Sequence, residues 1–255
     1  MKIALKFAYN GINYHGFARQ PDINTIENKI IESLSTIGII DNIKSSNFRY
    51  ASRTDKGVSA FGNVIALDTN YKKDVLKKLK DQFEDIVFYG IKIVNPSFNP
   101  RYAKQRIYRY YFKKNKKKME KIKKIIYVFK GKKDFSNFAK IEASKKPIKV
   151  IDRISIRERE DLFYIDFYAQ SYLWHQIRKI ISAINYLING KIDIRDLIYA
   201  LNNPNEKVDY GLSPPEPLVL MDIIYDFNFK YYNLYLTQLK RFKNILLNEI
   251  KYHVY

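Results

Sequence analysis

With 255 residues, 46% of them hydrophobic and 15% aromatic, the chain has room for one large domain or two small ones, and enough apolar matter for a real core. That composition excludes a disordered polymer, and the lack of any cysteine excludes disulfides, thiolate metal sites and a cysteine nucleophile. A formal charge of +20, from 46 basic against 26 acidic residues, points to a polyanionic partner, with nucleic acid first.

The opening MKIALKFAYNG has a charge inside its apolar run and no cleavage-like site, so Lys2 to Tyr9 reads as a strand and not a signal peptide. Ile26, Ile30, Ile31, Leu34 and Ile37 recur at helical spacing, which predicts a helix over Thr25 to Ile37 with Asn24 or Thr25 as its cap. Phe48 to Ser52 and Asn63 to Asp68 read as strands, Lys72 to Asp81 as a mostly polar helix, and Ile86 to Val94 as a strand. This is the order β-α-β-β-α-β of the split βαβ, or ferredoxin-like, pattern.

The same order is expected once more. Arg106 to Phe112 is a predicted strand and Glu120 to Ile126 a short helix. Lys149 to Arg157 and Leu162 to Tyr168 are predicted strands joined by a charged hairpin. Leu173, Ile177, Ile180, Ile181, Ile184 and Leu187 share one face of a helix over Ser171 to Asn189, with Gly190 at its end. A second helical stretch covers Ile192 to Leu201, and Leu218 to Tyr225 is a strand. A last helix over Tyr231 to Lys251 has Leu239, Phe242, Leu246 and Ile250 on one stripe. The fold class expected is α+β: two ferredoxin-like halves packed around a basic central cleft, in residues 1–97 and 98–228, followed by a helical tail in 229–255. No apolar run approaches the roughly 18 residues that a membrane span needs, so no membrane partner and a cytoplasmic location are expected.

Charge is uneven along the chain. Lys113 to Lys133 holds eleven lysines against one acid, Glu120. Such a run serves equally as a solvated face or as a set of phosphate contacts, and it carries no base specificity. Between the predicted strands of 48–52 and 63–68 lies a different signal: Arg53, Asp55 and Gly57 on a short link. Gly57 suits a sharp turn. An arginine two residues from an aspartate can hold it ionised, and such a pair is often only structural. Three histidines without cysteine make no metal site. There is no Walker loop and no G-x-G-x-x-G. Trp174, the single tryptophan, reads as core.

Residues 50 to 68, Y-A-S-R-T-D-K-G-V-S-A-F-G-N-V-I-A-L-D, resemble the active-site motif of the TruA family of tRNA pseudouridine synthases. Further blocks agree in order. They are Lys2 to Gln20, Phe98 to Phe112 (F-N-P-R-Y-A-K-Q-R-I-Y-R-Y-Y-F), Lys133 to Ala139, Gln170 to Ile181 (Q-S-Y-L-W-H-Q-I-R-K-I-I) and Ser213 to Leu220 (S-P-P-E-P-L-V-L). The resemblance covers about residues 1 to 225 and does not explain the tail.

What the resemblance implies is specific. The family converts uridine to pseudouridine in the anticodon stem-loop of tRNA, around positions 38 to 40, without metal or cofactor, and its bacterial members are homodimers. Asp55 is then the catalytic aspartate, acting at C1′ or on the 2′ proton with a glycal intermediate. Arg53 would keep it ionised and fill the space of a flipped-out base. Tyr108 aligns with the tyrosine that stacks on the target base and can help remove the C5 proton. Arg178 would reach the active site and Leu218 would wall the uracil. Arg19 and Lys56, whose charge is compatible with RNA, complete the expected substrate-binding set. Departures from the family pattern are Lys56 after the aspartate, Pro217 for a common glycine, Phe17-Ala18 for bacterial Trp and Gln, and a shorter Arg101 to Tyr108 spacing. They bear on which uridines and tRNAs are chosen. The competing readings are a non-catalytic tRNA-binding chaperone and a pseudouridine synthase acting on another RNA.

Overall fold

A computed structural model describes residues 1–70, 74–143 and 145–254. In chain order the elements are β1 (Lys2–Tyr9), α1 (Ile26–Thr36), β2 (Arg49–Tyr50), β3 (Ser59–Asp68), α2 (Val75–Leu79), β4 (Ile86–Ile93), β5 (Gln105–Lys113), α3 (Lys116–Ile125), β6 (Gly131–Asp134), β7 (Ile148–Ile151), β8 (Arg153–Arg159), β9 (Leu162–Ala169), α4 (Gln176–Ile188), α5 (Ile194–Asn202), β10 (Leu218–Ile224), β11 (Lys230–Tyr231) and α6 (Asn233–His253). Single turns of tighter helix lie at Ile126–Phe129 and Ser136–Phe138. The architecture is mixed α+β, and every strand pair described below is antiparallel except β3 with β10.

The chain forms two compact units that are interleaved in sequence. The first comprises residues 1–104 and 219–253. Its strands run β4, β1, β3, β10, with β2 also on β3 and β11 on the outer edge of β4. All eight residues of β1 are buried, as expected for a strand with neighbours on both edges. Helix α1 starts where its spacing says it should. The Thr25 side chain accepts the Asn28 N–H, and Ile26, Ile30, Ile31 and Leu34 face inward. Helix α6 packs on β4 with Tyr235, Leu239, Phe242, Leu246 and Ile250 buried. The stripe expected in the tail is therefore part of this unit's core. Of the helix expected over Lys72 to Asp81, the stretch Val75–Leu79 is helical with Asp74 capping it. Lys72 and Lys73 lie outside the described residues.

The second unit comprises residues 105–218 and Val254. Its main sheet is β5-β9-β8, and β6 pairs with β7 in a separate two-stranded sheet. The single strand expected over Lys149 to Arg157 is thus two strands. The chain leaves β6 after Ile151 and joins β9 at Arg153, so the break at Asp152 marks a change of partner. Helix α4 begins at Gln176 and not Ser171. Gln176 Oε1 accepts the Leu173 N–H, and His175 takes a left-handed conformation with φ of 62°, which keeps the preceding residues out of the helix. Trp174 is not core. It is 42% exposed, because the loop before α4 turns it outward.

Candidate active site

In the first unit the link between β2 and β3 is pinned along its whole length. Its ends are closed by Ala51 N–H to Val64 O (2.9 Å) and by Asn63 Nδ2 donating to Ser52 O (3.0 Å). At its centre Val58 N–H returns to Asp55 O at 3.1 Å, closing a four-residue turn over Asp55, Lys56, Gly57 and Val58. Gly57 has φ of +80°, the conformation that the third position of a type II turn needs and that a side chain disfavours. Asp55 is half-buried at the first position of this turn, while Arg53 and Lys56 are exposed.

The loop after β1 holds the other side of the link. Phe17 N–H donates to Thr54 O at 3.0 Å, and Gly57 N–H to Tyr14 O at 3.3 Å. The Tyr9 and Thr54 hydroxyls meet at 2.7 Å in buried surroundings. Gly16 has φ of +99°, and a Cβ there would stand 3.1 Å from Thr54 O and 3.3 Å from Lys56 N, so the two backbones approach too closely for a side chain. Arg19 follows on this loop. Its N–H donates to Glu27 Oε2 at 2.7 Å, and its side chain is exposed. Burial pushes the Glu27 carboxyl up, opposed by the Arg19 N–H and by the charges of Arg19 and Arg101. Arg19, Arg53, Lys56 and the Asp55 carboxylate are therefore carried by two loops that share backbone hydrogen bonds.

In the second unit β5 alternates its faces. Tyr108, Tyr110 and Phe112 lie on one face, and Arg109 and Tyr111 on the other. Tyr108 is buried, and Tyr172 stands edge-on to it at 5.3 Å and 87°. The Tyr172 hydroxyl donates to Arg106 O at 3.4 Å, and burial raises its pKa well above the usual phenol value. Tyr110 donates to Pro214 O at 3.1 Å, and Arg178 Nε, on α4, to Ser213 O at 2.8 Å. Two side chains thus hold consecutive carbonyls of the segment leading to Leu218. Tyr111 N–H adds a bond to Pro217 O at 3.0 Å, and Leu218 is buried at the start of β10. On the opposite face Arg109 grips Asp166 with two bonds of 2.6 and 2.9 Å and lies 3.6 Å over the Tyr164 ring. Burial works against the guanidinium charge there, and the Asp166 bonds outweigh it.

Tyr172, Tyr9, Thr54 and Asp166 were not singled out from sequence. Asp166 had a signal, a lone carboxylate in the apolar run LFYIDFYA. Tyr172 lies in the matched block Gln170 to Ile181, but nothing in the sequence pairs it with Tyr108, 64 residues away in the chain.

An α+β protein with a carboxylate on a pinned tight turn and buried tyrosines along one strand is the class that fold and geometry define. Comparison with known families narrows it. Residues 125–226 match the family described as tRNA pseudouridine synthase. That stretch excludes Asp55 and Tyr108, whereas relatives match over a larger share of the chain, up to 99% of it. The tRNA pseudouridine synthase A of Pyrococcus furiosus is 37% identical over 259 residues, covering 99% of this chain and 94% of that protein. The protein of the same name from Thermococcus sibiricus is 41% identical over 231 residues, 89% of this chain and 85% of its own length. That of Methanothermobacter thermautotrophicus is 35% identical over 257 residues, with 98% and 90% covered. The chain belongs to the tRNA pseudouridine synthase family.

Proposed function

We propose that the protein is an isomerase that converts uridine to pseudouridine in the anticodon stem-loop of tRNA, around positions 38 to 40. Membership of the family over nearly the whole chain is the observation that carries this reading. The net charge of +20 suits a polyanionic substrate.

The reaction breaks the bond between N1 and C1′ and makes one between C5 and C1′. C5 loses a proton and N1 ends with one, so atoms balance and no co-reactant is consumed. Asp55 is the catalytic carboxylate, either attacking C1′ or taking the 2′ proton on the way to a glycal. A carboxylate at the head of a turn held from both sides is pre-positioned, which lowers the entropy cost of either step. Arg53, two residues before Asp55, fills the space of the flipped base. Tyr108 stacks on the target uracil and assists removal of the C5 proton. Arg178 reaches the reacting nucleotide, Leu218 supplies an apolar wall, and Lys56 and Arg19 contact the RNA backbone.

The finer architecture we propose is two ferredoxin-like halves. The order β4-β1-β3 with β2 on β3 supports this for the first unit. Cytoplasmic location and a homodimer belong to the same reading. Solution mass tests the last.

The decisive experiment uses an unmodified tRNA transcript with uridines near positions 38 to 40, incubated with the protein and mapped site by site beside Asp55→Ala. Pseudouridine in the anticodon arm, absent with the variant, is the expected result. Tight binding without product would replace this reading by a tRNA chaperone, and product only on another RNA would replace the substrate.

A further inference from the structure

Loop 170–175, between β9 and α4, shows the chain's single tryptophan to solvent. Large aromatics scattered on a surface need no explanation in themselves. This one is held in place. Lys140 N–H donates to Trp174 O at 2.8 Å, forming an isolated bridge between the two segments. The same lysine puts Nζ 4.0 Å over the indole. The next residue, His175, has φ of 62° and its ring 4.9 Å from the indole. A left-handed residue other than glycine is uncommon, and such strain gathers at functional sites.

The surroundings are cationic. Segment 140–149 carries Lys140, Lys145, Lys146 and Lys149 against one acid, Glu142. Lys149 Nζ donates to Ser171 Oγ at 3.1 Å, at the base of the loop. Burial lowers the Lys149 pKa first, and the charges of Lys145 and Arg106 lower it further. An anion placed there would relieve that repulsion. Arg106 itself donates to Gln170 O, at the start of the loop.

We propose that loop 170–175 forms an RNA-contact platform with Lys140, Lys145 and Lys149, on which Trp174 stacks with an unpaired base while the three lysines take the flanking phosphates. The reading rests on an RNA substrate. The chemistry selects an unpaired nucleotide, because a base inside a helix has both faces covered by its neighbours. Aromatic stacking tolerates any base, so the platform adds affinity and orientation without choosing sequence.

Being the only indole, Trp174 reports on its own occupancy. Titration of the wild-type protein with an unmodified tRNA transcript should quench tryptophan emission, with the midpoint found by filter binding. Trp174→Ala should weaken binding by about tenfold, Trp174→Phe by less, both with kcat at saturating tRNA close to wild type. Emission that stays flat while tRNA saturates the protein, or a Trp174→Ala variant that binds like wild type, overturns the platform. Pseudouridine formation is scored on the same transcript. Product with flat emission removes the platform and leaves the enzyme. If the transcript is neither bound nor modified, the enzyme reading fails instead, and a single-stranded oligouridylate takes its place in the titration. Quenching by the oligonucleotide then supports the platform, and its absence overturns it.

Discussion

Tyr9 and Thr54 join their hydroxyls at 2.7 Å, linking the buried first strand to the residue immediately before Asp55. Tyr9→Phe keeps the ring and deletes one partner. The Thr54 hydroxyl is buried, so losing its partner should cost about 1 to 2 kcal/mol. The larger effect is expected on the carboxylate, since small displacements of a reacting group are costly. A fall in kcat of about tenfold, at little change in tRNA affinity, is expected. A variant that melts earlier but turns over at the wild-type rate would make this bond purely structural.

Asp55→Ala should abolish product and preserve tRNA binding, because the half-buried turn is held by backbone bonds and by the positive φ of Gly57. Asp55→Asn, nearly the same shape without the charge, should be equally inactive. Residual pseudouridine above the level without enzyme, in either variant, would remove Asp55 from its role.

How much of this could be read from the chain differs by element. Helix α1 was legible because four isoleucine and leucine positions and a capping threonine all agree. The Asp55 turn was legible because the glycine its geometry requires is two residues away. The break at Asp152 was not. Both flanking stretches suit a strand, and only the tertiary choice of β6 or β9 as partner separates them. The start of α4 was missed for a similar reason. Ser171 to His175 contains nothing that forbids a helix, and the Gln176 to Leu173 bond that ends the loop is a folded-state feature. Trp174 was misplaced by a rule that holds on average, that large aromatics are buried.

The lysine run divides into side chains with close partners in the fold and side chains that are simply exposed. Met119, Ile122 and Ile125 turn one face of α3 inward. Lys123 pairs with Glu120, Lys121 reaches Ile188 O, and Lys118 lies over the Phe112 ring. Lys116, Lys117 and Lys124 are exposed on the remaining surface. Changing those three to Gln should leave stability unaltered and reduce tRNA affinity. The slope of log affinity against log salt should fall by roughly 0.7 to 0.9 for each phosphate that is no longer neutralised. An unchanged slope would assign the run to solvent.

Deleting α6 from Asn233 onward removes five buried side chains, Tyr235, Leu239, Phe242, Leu246 and Ile250, and the bond from Asn10 Nδ2 to Glu249 at 2.6 Å. At about 1.5 to 3 kcal/mol for each large apolar side chain, the loss is roughly 10 kcal/mol. That equals the whole stability of a typical domain, about 5 to 15 kcal/mol. The truncated protein should therefore be insoluble or lack a cooperative thermal transition. A well-folded truncation with a melting temperature near that of the full chain would show that α6 contributes little to this unit.

Arg109 and Asp166 face each other across β5 and β9, one step from the Tyr108–Phe167 pair. Their side chains are 19% and 2% exposed, so each charge relies on the other for what water no longer supplies. Removing one member of a buried pair typically costs about 3 to 5 kcal/mol, whereas replacing both by apolar groups costs far less. Asp166→Leu alone should be strongly destabilising, and Arg109→Met with Asp166→Leu should recover much of that loss in urea unfolding. The double variant should also keep activity, because Tyr108 points to the other face and needs only the strand register, which an apolar pair preserves. Additive single effects would mean that the two charges do not depend on each other. Recovered stability without recovered activity would give the pair a role in placing Tyr108 that packing alone cannot supply.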